Sequence, residues 1–402
     1  MGWLLAASAL PLAAHAELWS VENSIESRFE SNDNLYLAQR DRFSVNTVNL
    51  TDTLQLARQS ESAATRATLA ATALRSIGGG GGVDRVDGRF GVTQTINAPL
   101  DLYSLQALYA QDFNDAVQNA DVTLGRGRRR TATLAGSWRH SFTERLSTTA
   151  QAAYVRTGYG QRLERVAADF DDASASANAD YRLSETDTLT AHAGRSRYAT
   201  RVGGSTSTTD DINLGASRVL SEQGSVSFSL GWYRTTSAQK FIGTACPLDV
   251  AYCRSGLVSY QTFIGRRSSS STGLQFEASY RHQFDERTSL VFAAARKQAP
   301  SGTGAVVTSD TLNAAMSRSF SETLSASLAY AQSRARFETE GGGSTAQRVL
   351  TVSMSKRLAE DTNLVATYQR TQADLFGSVG SAQSNSVSVS IRLEWPRVEA
   401  SR

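Results

Sequence analysis

The feature that most constrains the fold is an alternation of apolar and polar residues that continues through most of the chain. Val226, Phe228, Leu230 and Trp232 are separated only by Ser or Gly, for example, and other segments alternate in the same way. A period of two over about ten residues indicates a β-strand with one apolar face, because a helix would spread these residues around its circumference.

The alternating segments occur in pairs that are joined by a recurring turn. Each turn carries a Glu, and an apolar residue lies two positions before it. The glutamates are Glu144, Glu185, Glu222, Glu286, Glu322 and Glu360, and the preceding residues are Phe142, Leu183, Leu220, Phe284, Phe320 and Leu358. The parity passes through each turn unchanged, so both arms of each hairpin present their apolar residues to the same side.

The hairpin unit predicts an all-β fold, a closed transmembrane antiparallel β-barrel. Arms of about ten residues match a tilted membrane-spanning strand. The Glu-bearing turns are short and the opposite connections are long and polar, which is typical of short periplasmic turns and long extracellular loops. Counting segments gives about eighteen strands, with sixteen to twenty acceptable. A soluble β-solenoid is the rival fold, but it would repeat at about 20–30 residues without two unlike ends.

The first sixteen residues predict a signal peptide. Trp3 to Ala13 is apolar, and Ala14-His15-Ala16 has the small-x-small form of a cleavage site, although no Lys or Arg precedes the apolar run. A buried N-terminal strand is the alternative. We therefore expect a signal peptide at 1–16, a barrel at 17–396, a C-terminal tail at 397–402, and a location in the bacterial outer membrane.

The expected partners are those of a membrane barrel. They are outer-membrane lipid and lipopolysaccharide, the barrel-assembly machinery, and polysaccharide or small hydrophilic solutes. A formal net charge of +3 is too small to indicate nucleic acid. No cofactor or metal motif occurs, and His140, His192 and His282 lack the pattern of a catalytic site, so no enzyme is predicted. His192 faces the lumen beside Gly194, with no carboxylate fixed near it by sequence.

The longest predicted connection, 235–270, is the candidate for narrowing the pore. It carries Lys240, Arg254, Arg266 and Arg267, and Glu277 and Arg281 follow on the next strand. Together they suggest a constriction that favours anionic or sugar-like solutes, and a solvated surface loop is the alternative. The same stretch holds Cys246 and Cys253, the only two cysteines. In an exported chain a close pair predicts a local disulfide, and half of a metal site is the alternative.

The segment Arg28-Phe29-Glu30-Ser31-Asn32-Asp33-Asn34-Leu35-Tyr36-Leu37 and the repeated Arg-x-Phe/Leu-Ser-Glu turns carry a resemblance. They resemble the β-barrel porin family that is found beside exopolysaccharide and exosortase (PEP-CTERM) loci. The resemblance implies an outer-membrane channel that serves polysaccharide export. Two features depart from it: the chain does not end on an aromatic residue, and the inward face has no aromatic track. The alternative function is a non-conducting structural or adhesive barrel that acts through its extracellular loops.

The predicted disulfide can be tested by counting thiols. In the unfolded, unreduced protein we expect no maleimide labelling of Cys246 or Cys253, and two labels after reduction. Closing so short a loop should contribute about 2–3 kcal/mol to its order. Labelling of both residues without reduction would contradict the disulfide, and the double variant Cys246→Ser/Cys253→Ser supplies the unlabelled control.

Overall fold

The computed structural model describes residues 17–401 except 36, 41, 78–83, 115–126, 161–168, 202–203, 246–260, 301–305, 338–342 and 375–379. The predicted signal peptide therefore lies outside the described residues. No helix among the described residues is long and apolar enough to span a membrane.

The described residues form nineteen strands in one sheet. The strands are β1 Leu18–Asn32, β2 Val45–Gln59, β3 Ala63–Ile77, β4 Arg85–Asn97, β5 Asp101–Asn114, β6 Gly127–Ser141, β7 Leu146–Tyr159, β8 Phe170–Arg182, β9 Asp187–Thr200, β10 Thr206–Ser221, β11 Gly224–Ala245, β12 Gln261–Asp285, β13 Thr288–Pro300, β14 Val306–Ser319, β15 Leu324–Phe337, β16 Ser344–Ala359, β17 Thr362–Asp374, β18 Ser381–Glu394 and β19 Val398–Ser401.

The first eighteen strands close into a ring. Each pairs antiparallel with the next, and β1 pairs with β18 from Ser24↔Glu394 to Asn32↔Ser386. The predicted closed antiparallel barrel of about eighteen strands is confirmed. The short β19, within the predicted tail, pairs with β1 from Leu18↔Ser401 to Val21↔Val398 and continues the wall below β18.

The two faces of the wall differ in chemistry as the alternation predicts. Apolar side chains on the convex face are widely exposed, with Leu214 at 67% and Trp232 at 64%. Their polar neighbours point into the concave face, where side chains crowd together, so that Thr235 is only 2% exposed. Large aromatic residues towards the strand ends also lie exposed on the outer face; they are Trp19, Tyr103, Trp138, Tyr181 and Trp395. This arrangement is an apolar belt around a polar interior.

Side chains of the turns themselves hold the short connections. In the β6–β7 turn, Thr143 Oγ1 accepts hydrogen bonds from the backbone N–H groups of Arg145 and Leu146. Ser184 Oγ accepts equivalent bonds from Thr186 and Asp187 in the β8–β9 turn. Hydroxyl side chains thus satisfy the amides that the ladder leaves unpaired, which explains why Ser or Thr recurs before these glutamates.

The predicted loop 235–270 is wrong in extent. The strand β11 continues to Ala245 and β12 begins at Gln261, and the two remain paired from Gly224↔His282 to Ala245↔Gln261. Its Ser, Thr and Gly residues suggested a loop, but a ladder outside the bilayer needs no apolar face, because its backbone bonds hold it together. Above Phe276↔Arg296, the last pair between β12 and β13 on that side, β12 separates from β13, whereas β11 stays paired with β10 up to Thr206↔Ala238.

The assignment of faces can be tested with two neighbouring residues of β16. Val352 lies on the outer face and is 41% exposed, whereas Thr351 has the opposite parity. We expect Val352→Arg to lower the free energy of unfolding by about 2–4 kcal/mol, because the charge would enter hydrocarbon. Thr351→Arg should have a much smaller effect. Urea unfolding of the barrel in lipid vesicles, followed by Trp fluorescence, measures both, and equal effects would contradict the assignment.

Candidate functional site

The candidate site is the lumen, whose wall is built from the inward-facing residues of all eighteen strands. Small hydroxyl side chains dominate parts of it, such as Ser384, Ser386, Ser388 and Ser390 on β18. Hydroxyls take little space and bond to water readily, so this wall suits an aqueous interior.

Charged side chains of the wall largely neutralise each other in local pairs. Arg85 Nε lies 2.8 Å from Asp87 Oδ2. Arg129 donates from Nε to Asp112 Oδ1 at 3.0 Å and from Nη2 to Asp112 Oδ2 at 2.7 Å. Lys297 Nζ lies 2.6 Å from Glu277 Oε2. Pairs of opposite sign give this wall a weak net field.

A polar network spans five strands midway along the wall. Asn178, His192, Asp211, Asn213 and Gln275 form it, on β8, β9, β10 and β12, and it passes across β11. The imidazole joins Asn178 Oδ1, at 2.7 Å from Nδ1, to Asp211 Oδ2, at 3.1 Å from Nε2. We call these five residues the luminal network.

One carboxylate oxygen is the centre of the luminal network. Asn213 Nδ2 and Gln275 Nε2 each donate to Asp211 Oδ2 at 3.1 Å, beside the contact with His192. The Gln275 amide also donates to Asn213 Oδ1 at 2.7 Å. Each side chain therefore fixes the position of another, and the network is preorganised.

Glycines of the neighbouring wall make room for these side chains. A Cβ at Gly194 would lie 2.6 Å from Asp211 Oδ1, and one at Gly231 would lie 1.9 Å from Asn213 Oδ1. The side chain of Tyr233, from β11, lies across Gly273 of β12. A Cβ at Gly273 would lie 2.2 Å from the Tyr233 hydroxyl oxygen. The network lies flat against the wall only because these positions lack side chains.

The luminal network lines a concavity of about 410 Å³. The other polar side chains of its lining are Thr190, Ser196, Thr209, Ser229, Arg296, Gln298 and the Glu277–Lys297 pair. Within the described residues, no cluster of three His, Cys, Asp or Glu side chains is placed to hold a metal ion. The concavity therefore offers hydrogen bonds and paired charges.

The connection after β1 folds onto the inner face near the mouth. Leu37 is 3% exposed and clusters with the inward-facing Ala373 and Ala382 of β17 and β18. Its φ of 49° lies in the left-handed region, which costs a non-glycine residue energy. The loop around Leu37 therefore narrows the mouth on this side.

Buried hydrogen bonds hold this loop in place, and they come from the segment that carries the family resemblance. Asn34 is fully buried, donates to the carbonyls of Ala38 and Gln383, and accepts from the Ala38 N–H. Next to it, both oxygens of Asp33 bind Asn385, one through its backbone N–H and one through its side-chain amide. The Asn-Asp-Asn segment thus joins the end of β1 to β18 at the top of the barrel.

The structure separates the residues predicted for the constriction. Arg267, Glu277 and Arg281 have the inward parity, and Glu277 binds Lys297. Lys240 and Arg266 are directly paired and share the parity of the outward-facing Trp232 and Leu274, above the belt. Arg254, Cys246 and Cys253 lie outside the described residues. The constriction and the disulfide therefore stay predictions.

Asp211 was not predicted as the partner of His192. The two residues are 19 positions apart in the chain, and only the β9–β10 register, in which Asn213 lies opposite His192, brings them together. The spacing of Gly194, Gly215, Gly231 and Gly273 along adjacent inward positions was the available signal. His140 and His282 pack against Phe142 and Phe284, each at 4.6 Å between ring centroids, at the turn ends of their strands.

Comparison with known proteins identifies similar architectures. No family model matches the chain, and no curated protein matches it. Among solved structures, OccAB2 of Acinetobacter baumannii is 11% identical with a TM-score of 0.49, over 94% of this chain and 98% of its own. OpdK of Pseudomonas aeruginosa with vanillate is 10% identical with a TM-score of 0.48, over 94% and 99%. A BenF-like porin from Pseudomonas fluorescens Pf-5 is 8% identical with a TM-score of 0.49, also over 94% and 99%.

The loop at the mouth can be tested through Asn34. We expect Asn34→Ala to lower thermal stability and to expose the β1–β2 connection to protease, because buried carbonyls would lose their donor at about 1–3 kcal/mol each. The control is Gln39→Ala, which removes one exposed bond to the Gly380 carbonyl. Equal protease resistance of wild type and Asn34→Ala would contradict the role given to Asn34.

Proposed function

We propose that this chain forms a water-filled channel in the outer membrane of a Gram-negative bacterium, through which small hydrophilic solutes diffuse. The observation that carries the proposal is the closed ring of eighteen strands with an apolar outer face and a polar inner face. A ring of this size is too wide to be filled by small side chains, so water occupies its interior.

The outer-membrane location follows from the same ring. In hydrocarbon every backbone amide needs a partner, and a closed barrel provides one for each strand without leaving an edge. The exposed Leu, Phe and Val side chains of the belt would be costly in water but match lipid.

The solute class is a finer part of the proposal. Neutral hydroxyls and amides on the wall, together with paired charges, favour uncharged polar solutes. Polysaccharide is the second candidate solute, because the Asn-Asp-Asn segment and the repeated turns resemble a family associated with exopolysaccharide loci. Arg281 on the inner face of β12 adds a weak preference for anions over cations.

Planar-bilayer recording tests the channel. We expect discrete conductance steps from the purified, folded protein, and a reversal potential in a KCl gradient that indicates weak anion selectivity. A mock purification from cells lacking the chain serves as the control. A folded, heat-modifiable barrel that never conducts would favour the alternative, a structural or adhesive barrel that acts through its loops. Clear cation selectivity would refute the role given to Arg281.

A further inference from the structure

We infer that the luminal network is a binding subsite for an uncharged, polyhydroxylated solute of about the size of one or two sugar rings. The inference rests on the proposed channel function and adds to it a place of recognition and a class of ligand. The network lies midway along its strands, where every solute that crosses the barrel must pass the same wall.

Several hydrogen-bonding groups of the luminal network have no partner within the network. Within the described residues, Asp211 uses only Oδ2 and Gln275 uses only its amide nitrogen. The Asp211 Oδ1 and Gln275 Oε1 atoms therefore remain as acceptors, and Asn178 engages only one side of its amide. These groups are partly exposed to the lumen, so a solute can reach them.

The side chains of the luminal network are held in place before any solute binds. The contact of His192 with both Asn178 and Asp211 fixes one end of the network, and Gln275 bonds fix the other. Gly194 and Gly231 have no side chain that would push the network into the pore. Preorganised groups lose little conformational entropy on binding, which raises affinity.

The charged side chains around the concavity are already engaged by neighbours. His192, Asn213 and Gln275 contact the Asp211 carboxylate, Glu277 is paired with Lys297, and Arg296 is paired with Asp310. Since each of these charged groups already contacts a neighbouring side chain, an ionic solute gains less there than at a bare charge. A hydroxyl group both donates and accepts, so an array of hydroxyls matches the mixed acceptors and amide of the network.

The size of the concavity agrees with this class of ligand. At about 410 Å³ it lies in the lower part of the range of small-molecule sites, about 300–1,000 Å³. The neighbouring Tyr233 is only 6% exposed because it lies across Gly273, so it contributes shape to the wall rather than a stacking surface. Recognition therefore depends on hydrogen bonds, and affinity should be in the millimolar range that permits release and flux.

The test is block of ion current by maltose in single-channel recordings. We expect maltose to reduce the current of the wild type, and the half-blocking concentration to rise at least tenfold in Gln275→Ala and in Asp211→Asn. The matched control is Gln151→Ala, an inward-facing glutamine of β7 outside the network, which should behave as wild type. Tetraethylene glycol, which has few hydroxyls, should block far less than maltose.

The outcomes separate this inference from the proposed channel. Conductance without maltose block in the wild type would overturn the subsite and leave the channel in place. Equal block in wild type and Gln275→Ala would overturn the assignment to the luminal network. Absence of conductance would overturn the proposed function itself. Heat-modifiable gel mobility of each variant verifies that it has folded, so loss of block is not confused with loss of the barrel.

Discussion

The structure depends on the pairing of β1 with β18, because this pairing removes the last two edges of the sheet. Without it, both strands would expose unpaired amides to hydrocarbon, where each costs several kcal/mol. The seam contains nine residue pairs from Ser24↔Glu394 to Asn32↔Ser386. It is reinforced at both ends, by β19 below and by the bonds of Asp33 and Asn34 above. The segment that carries the family resemblance thus has a structural task at the point of closure.

Closure also determines what the lumen can contain. Side chains on a concave wall crowd their neighbours, so large polar groups fit only where adjacent positions are empty. Gly194, Gly231 and Gly273 provide that space on β9, β11 and β12. Elsewhere the wall carries small serines, or arginines drawn towards adjacent acids, as between Arg129 and Asp112. The luminal network is therefore a local exception in a wall that otherwise keeps its polar groups short or paired.

The strands and the closure of the barrel could be predicted from the sequence, whereas the contacts between side chains inside the lumen could not, for physical reasons. Alternation such as Val226 to Trp232 records directly which side faces lipid, so strand type, count and closure could be predicted. The hairpin beyond Trp232 could not, because outside the bilayer the pattern is no longer constrained by lipid. The contact between His192 and Asp211 depends on the register of β9 and β10, and the burial of Leu37 against Ala373 and Ala382 depends on where a loop folds. The alternation of apolar and polar residues along one strand predicts neither.

The separation of β12 from β13 above Phe276 and Arg296 limits how deeply the barrel can sit in the bilayer. Beyond that pair, the backbone of β12 on its β13 side has no strand partner among the described residues, and its amides need water or headgroups. Hydrocarbon can therefore rise no higher than this notch on that flank. Trp232 and Leu274 are the next outward-facing pair above it and would then lie in the headgroup layer, where Trp side chains are enriched in membrane proteins. The end of the β12–β13 pairing thus marks the outer boundary of the hydrocarbon core on this flank of the protein.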